Sequence, residues 1–152
     1  MSWLAFSYSL PSSKKQSSTR VALWRRLQRI GAIAPKSGVY VLPDTEDCLE
    51  SFQWLTQEVQ QTKGEAVVMK VEKFEGLSDS GLIDIFRKAR KKDYEEINKA
   101  ITLFEEKFSK KLISDSFKPG MAKLEKIKTR VSDILRIDFF NSIDAQNLQV
   151  RL

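Results

Sequence analysis

The sequence predicts an α+β fold, in which a small sheet with two helices is followed by a long helical region. Two observations predict it. Residues 1–76 alternate between short segments of strand-like and helix-like periodicity, whereas apolar residues after Asp79 recur at spacings of three and four. With 152 residues and 41% hydrophobic composition, the chain can bury one ordinary core, or one domain with a helical appendage.

A strand and an arginine-rich helix are predicted first. Apolar and small residues alternate over residues 3–10, and Pro11 ends this strand. A Ser/Lys-rich loop follows, in which Ser17, Ser18 or Thr19 is suited to cap the helix. The helix has an apolar arc opposite a cationic one, so we expect the apolar arc to be core. The apolar arc comprises Leu23, Trp24, Leu27 and Ile30, and the cationic arc comprises Arg25, Arg26 and Arg29.

A hairpin, a second helix and a last strand complete the predicted sheet. Gly31 is suited to end the first helix, and residues 36–38 to form a turn between strands at 32–35 and 39–43. Asp44-Thr45 then opens a helix that ends at Lys63-Gly64, and residues 66–71 predict a buried strand. The order β-α-β-β-α-β is typical of the ferredoxin-like fold, a four-stranded antiparallel sheet with two helices on one face.

Two further helices are predicted in the second half of the chain. Residues 79–111 form one long pattern, and residues 114–120, which contain Pro119-Gly120, are expected to break it before another helix and the apolar segment 137–140. We expect an antiparallel helical hairpin that covers the sheet or packs on a second copy. The expected boundaries are 1–76 for the sheet domain, 77–140 for the hairpin and 141–152 for a tail. The first stripe comprises Ile83, Phe86, Arg90, Tyr94, Ile97, Ile101, Phe104 and Phe108, and the second comprises Leu124, Ile127, Val131, Ile134 and Leu135.

Composition limits the chemistry of the chain. One cysteine excludes an internal disulfide, and the absence of histidine removes the usual zinc, haem and non-haem iron ligand sets, although carboxylate-only Mg²⁺ sites remain open. We expect Cys48 to be a packed thiol and the protein to need no cofactor. No signal-peptide or membrane-spanning pattern is evident, so a cytoplasmic location is expected.

The net charge of +6 is unevenly distributed. Seven Lys or Arg and no acid precede Asp44, whereas residues 44–76 carry three lysines and eight acids. A polyanion is therefore a candidate partner, although dimer ion pairs or a small oxyanion site would use the same cations. The candidate nucleic-acid-binding residues are Lys14, Lys15, Arg20, Arg25, Arg26, Arg29 and Lys36, with a second group at Arg87, Arg90 and Lys91.

We expect three aromatic residues to have different roles. Trp54 projects away from the apolar stripe of the second helix and is a candidate interface residue. Trp24 is expected to be a packing anchor. Tyr94 lies on the apolar stripe of the long helix, so we expect a core residue whose hydroxyl group finds a polar partner.

Five blocks of the sequence resemble the N-terminal domain of the chromate-resistance regulators called ChrB. In chain order they are WLAFSYSLP, SSTRVALWRRLQRIGAIAPKSGVYVLPDT, FQWLTQEVQQTKGEAVV, IDIFRKARKKDYEEI and ILRIDFF, from Trp3 to about Phe140. The RV-x-x-WRRL and GVYVLP blocks are also similar to the ferredoxin-like domain of phenylacetate-responsive repressors, which is itself like the Cas2 fold. The second resemblance bears on fold more than on function.

The resemblance implies a cytoplasmic transcriptional regulator that binds the double-stranded operator of a chromate-efflux operon and releases it when chromate is present. A homodimer without a cofactor or enzymatic activity is expected. Members that carry the full regulator continue into a further domain associated with the chromate response, whereas this sequence stops soon after IDFF.

Two other classes of function stay open. One is an oligomerisation or protein-interaction module in which a separate protein binds DNA. The other is a Cas2-like metal-dependent nuclease, which would place a carboxylate at the end of the first strand, where this chain has Tyr8-Ser9-Leu10.

Overall fold

The computed structural model describes residues 1–12, 16–111 and 117–141, with all their side chains except those of 108–111 and 117–119. These residues form one antiparallel sheet in the order β2-β3-β1-β4, together with four helices, which confirms the α+β class. In chain order the elements are β1 (Trp3–Ser9), α1 (Gln16–Arg29), β2 (Ile33–Lys36), β3 (Val39–Pro43), α2 (Glu46–Gln61), β4 (Glu65–Val71), α3 (Asp79–Lys111) and α4 (Phe117–Arg136).

The core of the sheet domain lies around β1, which pairs with β3 on one side and β4 on the other. Leu4 and Phe6 are buried, and the ring of Phe6 stacks on that of Phe52 in α2 with centroids 5.2 Å apart. Successive side chains of a strand alternate between the two faces of a sheet, so Leu4 and Phe6 share the face that carries α2.

Trp3 lies on the opposite face and is also buried. Its indole Nε1 donates a hydrogen bond of 2.9 Å to Oδ1 of Asp79, the first residue of α3, and the other oxygen of Asp79 lies 3.4 Å from the N-terminal ammonium group. These contacts, chiefly the bond from Trp3, hold the pKa of Asp79 below its usual value. The start of α3 is thereby bonded to the start of β1.

The ends of the first two helices follow the local sequence signals, with one exception. Gly31 has a φ of +83°, and Ala32 N donates to Leu27 O over 3.0 Å, the bond of a Schellman motif. Thr45 caps α2, since its Oγ1 accepts a 3.2 Å hydrogen bond from Cys48 N. The expected cap of α1 was wrong: α1 already begins at Gln16, so residues 17–19 lie inside its first turn.

The prediction that β4 is a buried strand was wrong, because β4 is an edge strand. Val67 is 48% exposed and Met69 is 39% exposed, and they pair with Ser7 and Ala5 of β1. Five of its seven residues are Ala, Val or Met, so its composition does not distinguish an edge strand from a central one. Only the pairing order of the strands placed it at the edge.

We expect Gly64→Ala to destabilise the sheet domain by about 1–3 kcal/mol. A Cβ at Gly64 would lie 2.6 Å from Ser9 O and 2.8 Å from Val59 Cγ1, so the backbone of β1 or β4 would have to move. The neighbouring Lys63 has a φ of +63°, so Lys63→Gly should stabilise by up to about 1 kcal/mol. Denaturant unfolding of both variants measures the two effects, and a Gly64→Ala protein as stable as wild type would contradict the close packing.

The described chain divides into two compact units, Met1–Ile85 and Phe86–Leu152, with the division inside α3. In the second unit, the rest of α3 and α4 form the predicted antiparallel hairpin: Glu96 meets Arg130 at 2.9 Å, and Tyr94 meets Asp138 beyond the end of α4. The core of this hairpin comprises Tyr94, Ile97, Ile101, Ile127, Val131 and Ile134, with Ala100, Phe104 and Leu135 at its margin.

The boundary between the two hairpin helices differs from the prediction. α4 begins at Phe117, so Pro119 and Gly120 lie in its first turn and not in the break. Proline is tolerated there because the first N–H groups of a helix have no intrahelical acceptor. Residues 114–116 of the predicted break, and residues 142–152 of the predicted tail, lie outside the described residues.

Polar contacts hold the segment after α4 against α3. Tyr94 is fully buried, and its hydroxyl group donates a 2.9 Å hydrogen bond to Oδ2 of the buried Asp138, which confirms the expectation for Tyr94. Burial and then this bond raise the pKa of Tyr94. Phe86 packs on Phe139 and Phe140, with ring centroids 5.9 and 5.4 Å apart. The segment 137–140 therefore packs against α3.

Candidate nucleic-acid interface

The exposed face of α1 is cationic. α1 carries four arginines and no acidic residue, and its buried side chains are Leu23 and Leu27. Arg20, Arg25 and Arg29 are exposed. Because α1 supplies no carboxylate, these three guanidinium groups have no ion-pair partner on their own helix.

Arg26 lies nearer to the buried stripe of α1 than Arg25 and Arg29 do, and it forms an ion pair with Glu58 of α2. This pair links the two helices of the sheet domain. Because both partners reach solvent, it contributes only about 0–1 kcal/mol to stability. The structure thus divides the predicted cationic arc, with Arg26 in a helix–helix contact and Arg25 and Arg29 facing outwards.

Trp24 is exposed to 54%, and the expectation that it is a packing anchor was wrong. With 100° between successive residues, it lies at the edge of the arc centred on Leu23 and Leu27, so nothing in the helical pattern required its burial. One turn separates Trp24 from Arg20, and Arg25 is its neighbour in sequence. An aromatic surface therefore lies among the exposed arginines, and the order R-V-x-x-W-R-R is the sequence signal that could have revealed it.

Two half-buried tyrosines stack on each other, and one of them, Tyr8, is within electrostatic reach of Arg20. The rings of Tyr8 in β1 and Tyr40 in β3 stack with centroids 6.1 Å apart. Burial and the neighbouring Tyr40 raise the pKa of Tyr8, and the positive charge of Arg20 partly opposes this rise. The N-terminal half of α1 is thus within electrostatic reach of the end of β1.

The remaining candidates of the first unit are lysines. Lys36 is exposed at the end of β2, before the turn at Gly38, whose φ is +79°. Lys14 and Lys15 lie outside the described residues. Apart from Arg26, which pairs with Glu58, the cations that α1 presents to solvent are therefore Arg20, Arg25 and Arg29.

In the second unit the structure separates the basic cluster of α3 into exposed and buried members. Arg87 and Lys91 are exposed one turn apart, whereas Arg90 is only 3% exposed. Nη1 of Arg90 donates to Ile137 O over 3.3 Å, and its Nε lies 3.1 Å from Oδ2 of Asp93 without hydrogen-bond geometry. Burial lowers the pKa of Arg90 and raises that of Asp93, against their mutual attraction. This placement gives Arg90 a structural role, so it does not belong to the exposed basic surface.

Trp54 projects from α2 with 63% of its surface exposed, as the sequence predicts. Its surroundings are acidic and polar: a shallow depression beside it is lined by Glu46, Glu50, Gln53 and Gln57. The outer face of α2 therefore combines a large aromatic side chain with negative charge.

Other kinds of site find little support in the described part of the chain. Cys48 is buried, as expected, and burial raises the pKa of its thiol group, which disfavours the reactive thiolate. Among the described residues, no group of three or more Cys, Asp or Glu is placed to hold a metal ion. None of the described helices combines the length and apolar character needed to cross a membrane.

Comparison with known proteins identifies the family. The family model described as "Protein ChrB, N-terminal" matches residues 20–150, from α1 to the end of the hairpin and beyond. No curated protein and no solved structure matches the chain. Because the family match spans most of the chain and includes the arginine-rich helix, this protein belongs to the ChrB N-terminal family, a family of regulatory or accessory kind associated with chromate resistance.

Proposed function

We propose that this chain is a DNA-binding domain that regulates a chromate-efflux operon, acting as a homodimer in the cytoplasm. The observation that carries the proposal is the outer face of α1, its solvent-exposed surface: Arg25 and Arg29 lie on the side opposite the buried Leu23 and Leu27, Arg20 lies one turn before the exposed Trp24, and no acidic side chain belongs to the helix. Membership of the ChrB N-terminal family supports the link to chromate resistance.

The chemistry of this face suits a nucleic-acid backbone. Duplex DNA carries one phosphate charge per about 1.7 Å of its axis, and arginines that contact phosphates gain affinity chiefly by releasing condensed counterions. Guanidinium groups also form bidentate hydrogen bonds with phosphate oxygens. Trp24 offers a flat apolar surface that can contact sugars or an unstacked base. We therefore expect the arginines to position the protein on the DNA backbone, and Trp24 to contact sugars or bases.

Chromate is proposed as the inducer. It is a tetrahedral dianion, so it would be recognised by the same kind of group that recognises phosphate, namely arginine, lysine or backbone N–H. If chromate binds the outer face of α1, it competes directly with DNA for the exposed arginines. Loss of DNA binding on addition of chromate would then need no conformational change.

A salt titration of DNA binding tests the proposal. The protein is titrated against a duplex from upstream of its own gene and against a scrambled duplex, with and without chromate. We expect tighter binding to the first duplex, an affinity that falls linearly with salt on logarithmic axes, and weakening by chromate. Specific binding that is unaffected by chromate would contradict the proposal that this chain senses chromate and would support its DNA-binding role. Failure to bind either duplex at low salt would overturn the proposal.

A further inference from the structure

A groove between α3 and α4 joins an apolar floor to a cationic rim. Leu103, Phe104 and Ile127 form part of the floor, and Leu103 is 59% exposed although it is fully apolar. Lys107 from α3 and Lys123 and Lys126 from α4 form part of the rim, so both helices contribute positive charge. An exposed apolar floor with a charged rim is typical of a surface that binds a partner.

The size of the groove limits what it can hold. Its volume of about 310 Å³ is at the lower end of the ~300–1,000 Å³ range of ligand pockets. It therefore has room for one large side chain and not for a whole helix. A suitable partner inserts a single apolar anchor and places acidic groups beside the three lysines of the rim.

The outer face of α2 has this chemistry. Trp54 is its one large exposed apolar side chain, and Glu50 and Glu46 lie on the same side, one and two turns earlier respectively. α2 contains four acidic residues and neither lysine nor arginine, so a basic rim meets no opposing cation on this helix. Tryptophan is also one of the residue types enriched among the anchors of protein interfaces.

From this complementarity we infer that the α3–α4 groove binds the outer face of α2 from a second copy of the chain, with Trp54 inserted over the groove floor. Glu46 and Glu50 then lie against Lys123 and Lys126. The inference rests on the self-association proposed above and not on DNA binding, and it names the two surfaces that meet. The exposure of both Trp54 and the groove floor in a single copy follows from it.

Paired charge reversals test the inference by sedimentation velocity over a range of protein concentrations, without DNA. The first variant is Lys123→Glu/Lys126→Glu and the second is Glu46→Lys/Glu50→Lys. Each alone places like charges on both surfaces, so each should associate about tenfold or more weakly than wild type. An equimolar mixture of the two restores opposite charges at every contact and should recover association. Trp54→Ala should weaken association by a similar or larger factor.

The matched control is Lys99→Glu/Lys128→Glu, which makes the same change in net charge as Lys123→Glu/Lys126→Glu, at exposed positions of α3 and α4 outside the groove lining. It should associate like wild type. Wild-type association that none of the variants alters would overturn the inference and leave self-association standing. A wild-type chain that stays monomeric at all concentrations would overturn both and leave the groove to a different acidic partner, while the DNA-binding proposal would be unaffected.

Discussion

Replacing Arg20, Arg25 and Arg29 together by alanine should weaken binding to duplex DNA about tenfold to hundredfold at moderate salt. All three are exposed on α1. The slope of log affinity against log salt concentration is negative, and the loss of each arginine that contacts a phosphate should reduce its magnitude by about 0.9. The magnitude of the slope should therefore decrease by about 2–3 if all three make such contacts. The loss should be similar for specific and scrambled duplexes, because phosphate contacts carry little sequence information.

Two controls separate this effect from general electrostatics and from misfolding. Lys73→Ala/Lys99→Ala/Lys128→Ala removes the same net charge from exposed positions elsewhere and should change the slope by much less. Denaturant unfolding measures the stability of the arginine variant. Each substitution should change the free energy of unfolding by no more than about 0.5 kcal/mol, as expected for exposed residues. Unchanged DNA affinity together with a large loss of stability would contradict a binding role and would assign these arginines to the fold.

Replacing Arg90 by methionine should destabilise the helical hairpin by about 2–4 kcal/mol. The substitution keeps the length of the side chain but removes its hydrogen bond to Ile137 O and the positive charge beside Asp93 and Asp138. Asp138 is only 8% exposed, so its carboxylate would lose a nearby cation in a poorly solvated place. Asp93 reaches solvent more easily and is expected to contribute less.

Arg87→Met is the matched control for this second effect, because Arg87 lies less than one turn away on α3 and is exposed. Its free energy of unfolding should stay within about 0.5 kcal/mol of wild type. DNA affinity of the Arg90→Met protein, measured where it is fully folded, should be unchanged. A normal stability combined with weakened DNA binding would show that Arg90 reaches the nucleic acid after all.

Much of the fold could be predicted because its signals are local. The glycine at position 31 and the threonine at position 45 end and begin helices through bonds to residues three to five positions away. The apolar stripe of α4 likewise depends only on helical geometry, and Ile127, Val131 and Ile134 of that stripe are buried as predicted. Such features need no knowledge of which elements become neighbours.

Three predictions failed or stayed ambiguous because they depend on neighbouring elements. Trp24 lies at the edge of an apolar arc, and whether another element covers such an edge is decided by packing. β4 has the composition of a buried strand, but the pairing order placed it at the edge of the sheet. In the sequence, Arg90 belongs both to an apolar stripe and to a basic cluster. It is buried in the structure, where it donates a hydrogen bond to Ile137 O and lies near Asp138, in the segment that follows α4.

By itself, the sequence determined the order of the elements, most of their ends and the separation of basic from acidic segments, because these follow from local geometry and composition. The tertiary structure decided which charged and aromatic side chains remain at the surface. It paired Arg26 with Glu58, buried Arg90 and exposed Trp24 beside Arg20 and Arg25. The physical reason is that solvent exposure depends on contacts between residues far apart in the chain, which no local spacing specifies.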